Sequence, residues 1–393
     1  MSGAATPRAP SRQGSMAIEG RRLDRRALLG LAGGALGGAW LPGAASAQKL
    51  TPAEQDLSPH SVAPGSLEAR TVAALPPYRP HAPVSGIIRI WGHGNDKLPW
   101  MRPLVAAWEA GFKSFHPGVE TDYQMHGTSS GIPALFTGIG DVAILGEEIL
   151  PSEAEAFERV KGYAPLGVQI ATGSLDVRNF DYAQMFFVHR ANPLQRISLE
   201  ELDGVFGAEH RRGRRNIRNW GELGLGGDWA DRPITPYGWA IDDSFGFYIE
   251  QAVLGGSHRW NCALREHVHI YRPDGAIYDH GQQILDALAR NVAGIAVSNI
   301  RYAGPEVKPL ALAVRPGGPY VHASKQSLID QSYPLARTLP AVLDRPPDGQ
   351  PSPKAREFVR YLLSREGQAA IIQDGRYLPL APATVARELG KLA

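Results

Sequence analysis

Cysteine is almost missing from this sequence. Cys262 is the only one in 393 residues, so the chain cannot close a disulfide on itself and says nothing about redox compartment. Cys262 itself reads as a small buried apolar side chain. An excess of either charge is missing too. Lys and Arg total 41 against 39 Asp and Glu, a formal net charge of +2, which removes any electrostatic argument for a nucleic-acid or membrane-surface partner. The apolar run near the N-terminus, residues 30–41, is glycine-rich and well short of the ~20 residues that a membrane anchor needs. What is present is 43% hydrophobic residues, enough for a globular chain of two or three domains.

The apolar run has informative neighbours. Asp24-Arg25-Arg26-Ala27-Leu28-Leu29 precedes it, and Ala45-Ser46-Ala47 follows, just before Gln48. Paired arginines, a weakly hydrophobic centre and a small-residue cleavage signature predict a twin-arginine export signal over residues 1–47, cut near Ala47. A start at Met16 would give that signal a charged region of ordinary length. The expected location is the bacterial periplasm or outside the cell. Residues 48–85 carry seven prolines and little apolar periodicity. They read as a poorly ordered linker, with the folded body beginning at Gly86.

The body opens with an apolar strand, Ile87-Ile88-Arg89-Ile90-Trp91, and a turn, Gly92-His93-Gly94-Asn95-Asp96. Leu104, Val105, Trp108, Phe112 and Phe115 then recur at helical spacing and stop before Pro117-Gly118. Val119–Met125 has strand character, and Gly127-Thr128-Ser129-Ser130-Gly131 follows it. Pro133 lies in the first turn of the next short helix, where a missing N–H costs little. Two glycines and three hydroxyls at a helix start can hold an anion through main-chain N–H groups. Asp141 then begins another apolar strand, Asp141–Gly146. Strand, glycine turn, helix and strand predict parallel βαβ units in an α/β fold, with the glycine turns on the ligand-binding edge at the carboxyl ends of the strands.

These segments, taken in order, resemble the phosphate-binding-protein family, the periplasmic solute receptors of ABC importers. The resemblance is carried by Ile90-Trp91-Gly92-His93-Gly94, Phe115-His116-Pro117-Gly118-Val119, Gly127–Gly131 and Gly138-Ile139-Gly140-Asp141-Val142-Ala143. It continues through Phe186–Leu194 with its Asn192-Pro193, Ile197–Leu202, Val205-Phe206-Gly207, Asn219–Gly224, Arg232-Pro233-Ile234, Tyr333–Arg337, Phe358–Gln368 and Gly375–Leu380. It implies a two-lobed periplasmic-binding-protein type II fold hinged around a ligand. Lobe one is expected over residues 86–180, lobe two over 181–298, and a return to lobe one over 299–393. Ile284–Leu288 and Gly294–Val297 stand for the last helix and strand before that return.

The resemblance also implies a site. Gly94, Asn95, Thr128, Ser129 and Ser130 are expected to bind an oxyanion, and Asp141 to accept the proton that separates phosphate from sulfate. In lobe two the family places an arginine and then Ser-Gly-Thr. Here the stretch is Tyr237–Tyr248, with Trp239 or Ala240 at the arginine position, Ser244 retained, and Phe245-Gly246 in place of the Gly-Thr pair. Asp243, Ser244 and Gly246 are the expected contacts. Losing the arginine removes two charge-assisted hydrogen bonds of ~1.5–3 kcal/mol each. Asp242 and Asp243 beside Trp239 and Phe245 suit a less charged, partly apolar or cationic ligand at least as well. The bland alternative has both aspartates capping the following helix. No cofactor is implied, and the chain is expected to be a monomeric, non-enzymatic receptor for import or sensing.

Three other classes compete. Gly127–Gly131 also fits the G-x-S-x-G pattern of α/β-hydrolases, with Ser129 as nucleophile and Asp279-His280 or Glu266-His267 as triad candidates. Yet Val119–Met125 has a polar middle and no HGGG-like segment precedes it. His258, Cys262, His267 and His269 carry zinc-type donors at a spacing that fits no tight motif, so they read as surface or core residues. The run Arg211-Arg212-Gly213-Arg214-Arg215 with Arg218 reads as a solvated loop or docking surface rather than a nucleic-acid site.

Overall fold

The computed structural model describes residues 62–94, 101–175, 177, 183–213 and 215–393. The expected export segment, residues 48–61, Asn95 and Arg214 lie outside them. Among the described residues no helix is long and apolar enough to cross a membrane.

Fourteen strands are described in chain order: β1 (Gly86–Gly92), β2 (Val119–Gln124), β3 (Val142–Ile144), β4 (Leu166–Thr172), β5 (Met185–His189), β6 (Arg196–Ser198), β7 (Thr235–Trp239), β8 (Arg265–His267), β9 (Ile270–Tyr271), β10 (Ile277–Tyr278), β11 (Gly294–Ser298), β12 (Val307–Pro309), β13 (Ala311–Ala313) and β14 (Thr338–Leu343). Ten of them build two five-stranded sheets, ordered β2-β1-β3-β14-β4 and β8-β7-β11-β5-β12. The two sheets repeat one plan. Three parallel strands are followed by an antiparallel one, and a fifth strand pairs antiparallel to that. The antiparallel strand is in each case the first to form after the chain changes lobe: β5 on entering lobe two, β14 on returning. Two such α/β layers joined by crossings form the two-lobed fold.

Local sequence explains the elements. In β1, Ile88 and Ile90 are buried while Ile87 faces out, the two-residue alternation of a strand. In the helix Arg102–Phe115, Leu104, Val105, Trp108 and Phe112 form the buried face. Trp108 donates its indole N–H to Gly367 O at 2.9 Å, tying that helix to Arg365–Asp374.

Two expected boundaries are corrected. Residues 62–85 belong to the folded body rather than to a loose linker. Ser66 caps a helix at Leu67–Ala73, and Leu75 and Tyr78 are buried in the lobe-one core. Tyr78 donates its hydroxyl to Glu357 at 2.8 Å and its N–H to Glu366 at 2.7 Å. Here the prolines stiffen an extended strap instead of loosening it. The return to lobe one also comes later than Ser298. β12 pairs with β5, and Leu310, Leu312, Leu328, Ile329, Tyr333 and Leu335 all pack into the lobe-two core. The chain crosses back only as it enters β14.

Candidate functional site

The lobe-one wall is built at the ends of β1 and β3. Gly92 has φ +123°, and a Cβ there would stand 2.3 Å from Ile144 O. Only glycine lets the two strand ends close to this distance. His93 follows, donating its N–H to Ile144 O at 2.7 Å, while its carbonyl accepts from the Tyr123 hydroxyl. The His93 ring is 8% exposed. Its Nε2 lies 2.7 Å from the Tyr377 hydroxyl and its Nδ1 3.3 Å from Thr128 Oγ1. Thr128 Oγ1 accepts from Gly146 N at 3.1 Å. A Cβ on Gly146 would fall 2.2 Å from the His93 ring, so that glycine makes room for the imidazole. Burial, followed by the positive charge of Arg337, lowers the His93 pKa to about 4. The ring is therefore neutral at pH 7. Beside it, Gly127 turns the chain at φ +93°, and Ser130 Oγ donates back to Gly127 O at 2.7 Å.

The floor of the cleft is the hinge. The two crossings touch where Gly173 N donates to Arg337 O at 2.8 Å. The Arg337 side chain is 1% exposed and paired with Glu148 at 3.0 Å. Its guanidinium also lies 4.6 Å from the Tyr248 ring and 5.8 Å from the Phe245 ring, both on the lobe-two helix Ser244–Ala252. One buried cation thus joins a lobe-one carboxylate to lobe-two aromatics. Burial raises the Glu147 pKa. Arg337 opposes that shift, while Glu153, Glu148 and lobe-two Asp243 add to it. Asp243 and Glu147 therefore sense one another from opposite lobes.

The lobe-two wall repeats the logic at the end of β7. Asp243 caps Ser244–Ala252, accepting from Phe245 N at 2.9 Å through Oδ1. Its Oδ2 lies 3.8 Å from His280 Nδ1. Trp239 is 2% exposed, with its ring 5.0 Å from Phe245 and 6.2 Å from His280. Its indole N–H has no acceptor among the described residues. Gly246 is packed into the fold, since a Cβ there would meet Ala240 O at 2.7 Å. Ser244 is exposed in the first helical turn.

Of the residues expected from sequence, Thr128, Ser129 and Ser130 share one short turn beside His93. Gly94 follows directly, at φ +123°, and Asn95 lies outside the described residues. Asp243, Ser244 and Gly246 lie on the lobe-two side. Asp141 is the correction. It precedes β3 and so sits at the amino edge of the sheet, beside Arg89, three residues and ~10 Å before the Gly92 edge. Arg89 Nε and Nη2 bind it at 3.0 Å each, and Lys354 Nζ at 3.2 Å. Burial alone would raise its pKa, but the Arg89 side chain and N–H and the Lys354 charge outweigh burial and hold it below the usual range. Asp141→Asn should leave ligand preference unchanged and cost about 1 kcal/mol of stability. Paired binding and unfolding measurements check this, and a changed preference among oxyanions would return Asp141 to the site.

The competing readings meet specific obstacles. β2, the strand before the serine turn, is the edge strand of its sheet, unlike the central strand that leads into a hydrolase elbow. Glu266 accepts from Ile241 N and Asp279 from Gly281 N. His258 lies 2.6 Å from Glu250. Cys262 is exposed rather than buried, because it sits in a surface turn closed by Leu264 N donating to Asn261 O. In the arginine run, Arg212 caps the carbonyls of Ala252 and Val253, and Arg218 binds those of Gly204 and Val205.

Sequence reading missed His93, Gly146, Glu147, Arg337 and Tyr377 as site residues. His93 lay inside the glycine turn already singled out. Nothing local marks Arg337 as buried.

Residues 80–366 match the family described as a PBP superfamily domain. The chain is 30% identical over 339 residues to the phosphate-binding protein PstS of Pseudomonas aeruginosa, covering 84% of this chain and 96% of that one. Among solved structures it is similar to PstS from Borrelia burgdorferi at 17% identity, with 75% of this chain and 99% of that chain covered and a TM-score of 0.49. An ABC-type phosphate transport receptor from Vibrio cholerae is similar at 17% identity, with 74% and 99% covered and a TM-score of 0.44.

Proposed function

The chain belongs to the PBP superfamily, and from that premise we propose that it is an exported receptor that closes two lobes on a small solute and delivers it to an ABC importer. The observation that carries this reading is Arg337, buried at the hinge between lobe-one Glu148 and the lobe-two rings of Tyr248 and Phe245. The carboxyl ends of both sheets converge on that floor, the position where open α/β sheets gather ligands. The role involves no bond-making step. Export rests on the paired arginines and the Ala45-Ser46-Ala47 signature of the sequence.

The proposed solute is phosphate or a related oxyanion, as in the name of the Pseudomonas aeruginosa relative. The unpaired Trp239 N–H supports a ligand oxygen, because a buried donor without an acceptor costs about 1–3 kcal/mol. A second reading rests on the carboxylates of Asp242 and Asp243 beside Trp239 and Phe245 in lobe two, with the half-buried carboxyl of Glu147 in lobe one. They favour a solute that brings a proton or a positive charge between them.

A thermal-shift panel of phosphate, sulfate, other oxyanions and cationic metabolites tests both. A ligand at a hundred times its dissociation constant adds ~2.7 kcal/mol, a rise of several degrees in the melting midpoint. Stabilisation by phosphate or another oxyanion is the expected result. A shift from cationic solutes alone selects the second reading. No shift from any solute, with none bound in calorimetry, sinks the receptor reading.

A further inference from the structure

Among the described residues, one group of three His, Cys, Asp or Glu side chains lies close enough to hold a metal ion. It comprises His269, Asp279 and His280, whose ligand atoms are all within 4.8 Å of one another. The group comes from two places in lobe two. His269 lies between β8 and β9, and Asp279 and His280 open the helix His280–Ala289. The two imidazoles stack with centroids 3.9 Å apart.

The carboxylates are arranged around that pair. Asp279 uses Oδ1 to cap its helix, accepting from Gly281 N at 2.8 Å, and leaves Oδ2 3.8 Å from His269 Nδ1. Asp243 does the same from the neighbouring helix, with Oδ1 on Phe245 N and Oδ2 3.8 Å from His280 Nδ1. At 3.8 Å neither carboxylate is hydrogen-bonded to the imidazole it faces. Asp243 thus borders the group through His280 without belonging to it.

We propose that His269, Asp279 and His280 bind one divalent transition-metal ion of the zinc type, with solvent in the fourth position. Two imidazoles and one carboxylate, with an open fourth position, match the ligand preference of zinc. The Asp279 carboxylate offsets part of the ion's charge. In a tetrahedral zinc site, with bonds of ~2.0–2.2 Å, donors stand about 3.3 Å apart. The cluster, now within 4.8 Å, therefore contracts by up to about 1.5 Å on binding. His269 has room to move, its side chain being 32% exposed. The contact that yields is a long one, His280 N to His269 Nδ1 at 3.3 Å. Trp239 and Phe245 pack against His280, and Tyr271 against His269, giving the site an apolar surround.

The inference is independent of the solute in the cleft. Tag-free, chelator-stripped protein titrated with Co²⁺ should develop the visible bands of four-coordinate cobalt at one equivalent, and Zn²⁺ should abolish them. His269→Ala, on a partly exposed loop, should keep its circular dichroism and lose at least ~100-fold in affinity. Asp279→Asn should also bind more weakly, and His258→Ala should bind as the parent does. No one-equivalent band in the parent, or an unchanged band in His269→Ala and Asp279→Asn, overturns the site. Because the readout is cobalt absorption, metal binding can fail while oxyanion stabilisation persists, and the reverse.

Discussion

Arg337→Ala should cost roughly 2–3 kcal/mol of stability, less than for a pair buried on both sides, because Glu148 is 36% exposed and water can take up its charge. The guanidinium is almost wholly enclosed, and Glu148 is its carboxylate partner at 3.0 Å. Removing it leaves Glu148 beside Glu147 with the main local positive charge gone, so Glu147 should titrate higher still. It also takes the cation from the faces of Tyr248 and Phe245, which removes a contact between the lobes. Two further variants separate these effects. Arg337→Lys keeps the charge but loses the planar fork and the stacking, so it should recover only part of the loss. Arg337→Met with Glu148→Gln removes the pair together, and should cost less than Arg337→Ala because no unpaired carboxylate is left at the hinge. Denaturant unfolding of the four proteins decides it. If Arg337→Ala costs under ~1 kcal/mol, or the double variant is no better than the single one, the guanidinium is not what holds the hinge floor.

How much of this could be read in advance differs from element to element. β1 and the helix after it were legible because their buried residues follow local periods and stop at Pro117-Gly118. The serine turn was legible because glycine and hydroxyls have few uses together before a helix. Segments whose fate depends on distant partners were not. Prolines made residues 62–85 look loose, yet Tyr78 is fixed by Glu357 and Glu366, nearly three hundred positions away. The strands Val307–Pro309 and Ala311–Ala313 are three residues each, too short to show a period, so the return to lobe one was placed too early. Asp141 was correctly put at the start of a strand, but the start is the amino edge and ligands gather at the other one. The buried partners of Arg337 come from both lobes, and no spacing in the sequence brings Glu148, Phe245 and Tyr248 together. The sequence also paired His269 with His258 and Cys262 because they are close in the chain, whereas the fold sets it against Asp279 and His280.

His93 should make the protein lose stability as the pH falls from about 6.5 to about 4. Its ring is buried and neutral in the fold, with a pKa lowered to about 4, against ~6.5 in the unfolded chain. Between those values the unfolded state binds the extra proton, so stability rises with pH and falls on acidification. The contribution is fully present above pH ~6.5 and is lost as the pH drops toward 4. One pKa unit corresponds to 1.36 kcal/mol, so the upper limit is about 3 kcal/mol. Among the described residues Arg337, whose positive charge opposes protonation, and Tyr377 at 2.7 Å act on the ring. Neither changes charge between pH 4 and 6.5; His280, whose pKa is also lowered to about 4, adds a slope of its own that substitution of His93 leaves in place, so the difference between the two proteins reports His93. His93→Gln keeps one donor and one acceptor near Thr128 and Tyr377 but cannot titrate. With chelator present, so that metal binding does not contribute, its stability should be visibly flatter with pH over this interval than the parent's. Equal slopes in the two proteins would mean that His93 is solvated and ordinary, and that the wall formed by Gly146, Thr128 and Tyr377 does not enclose it.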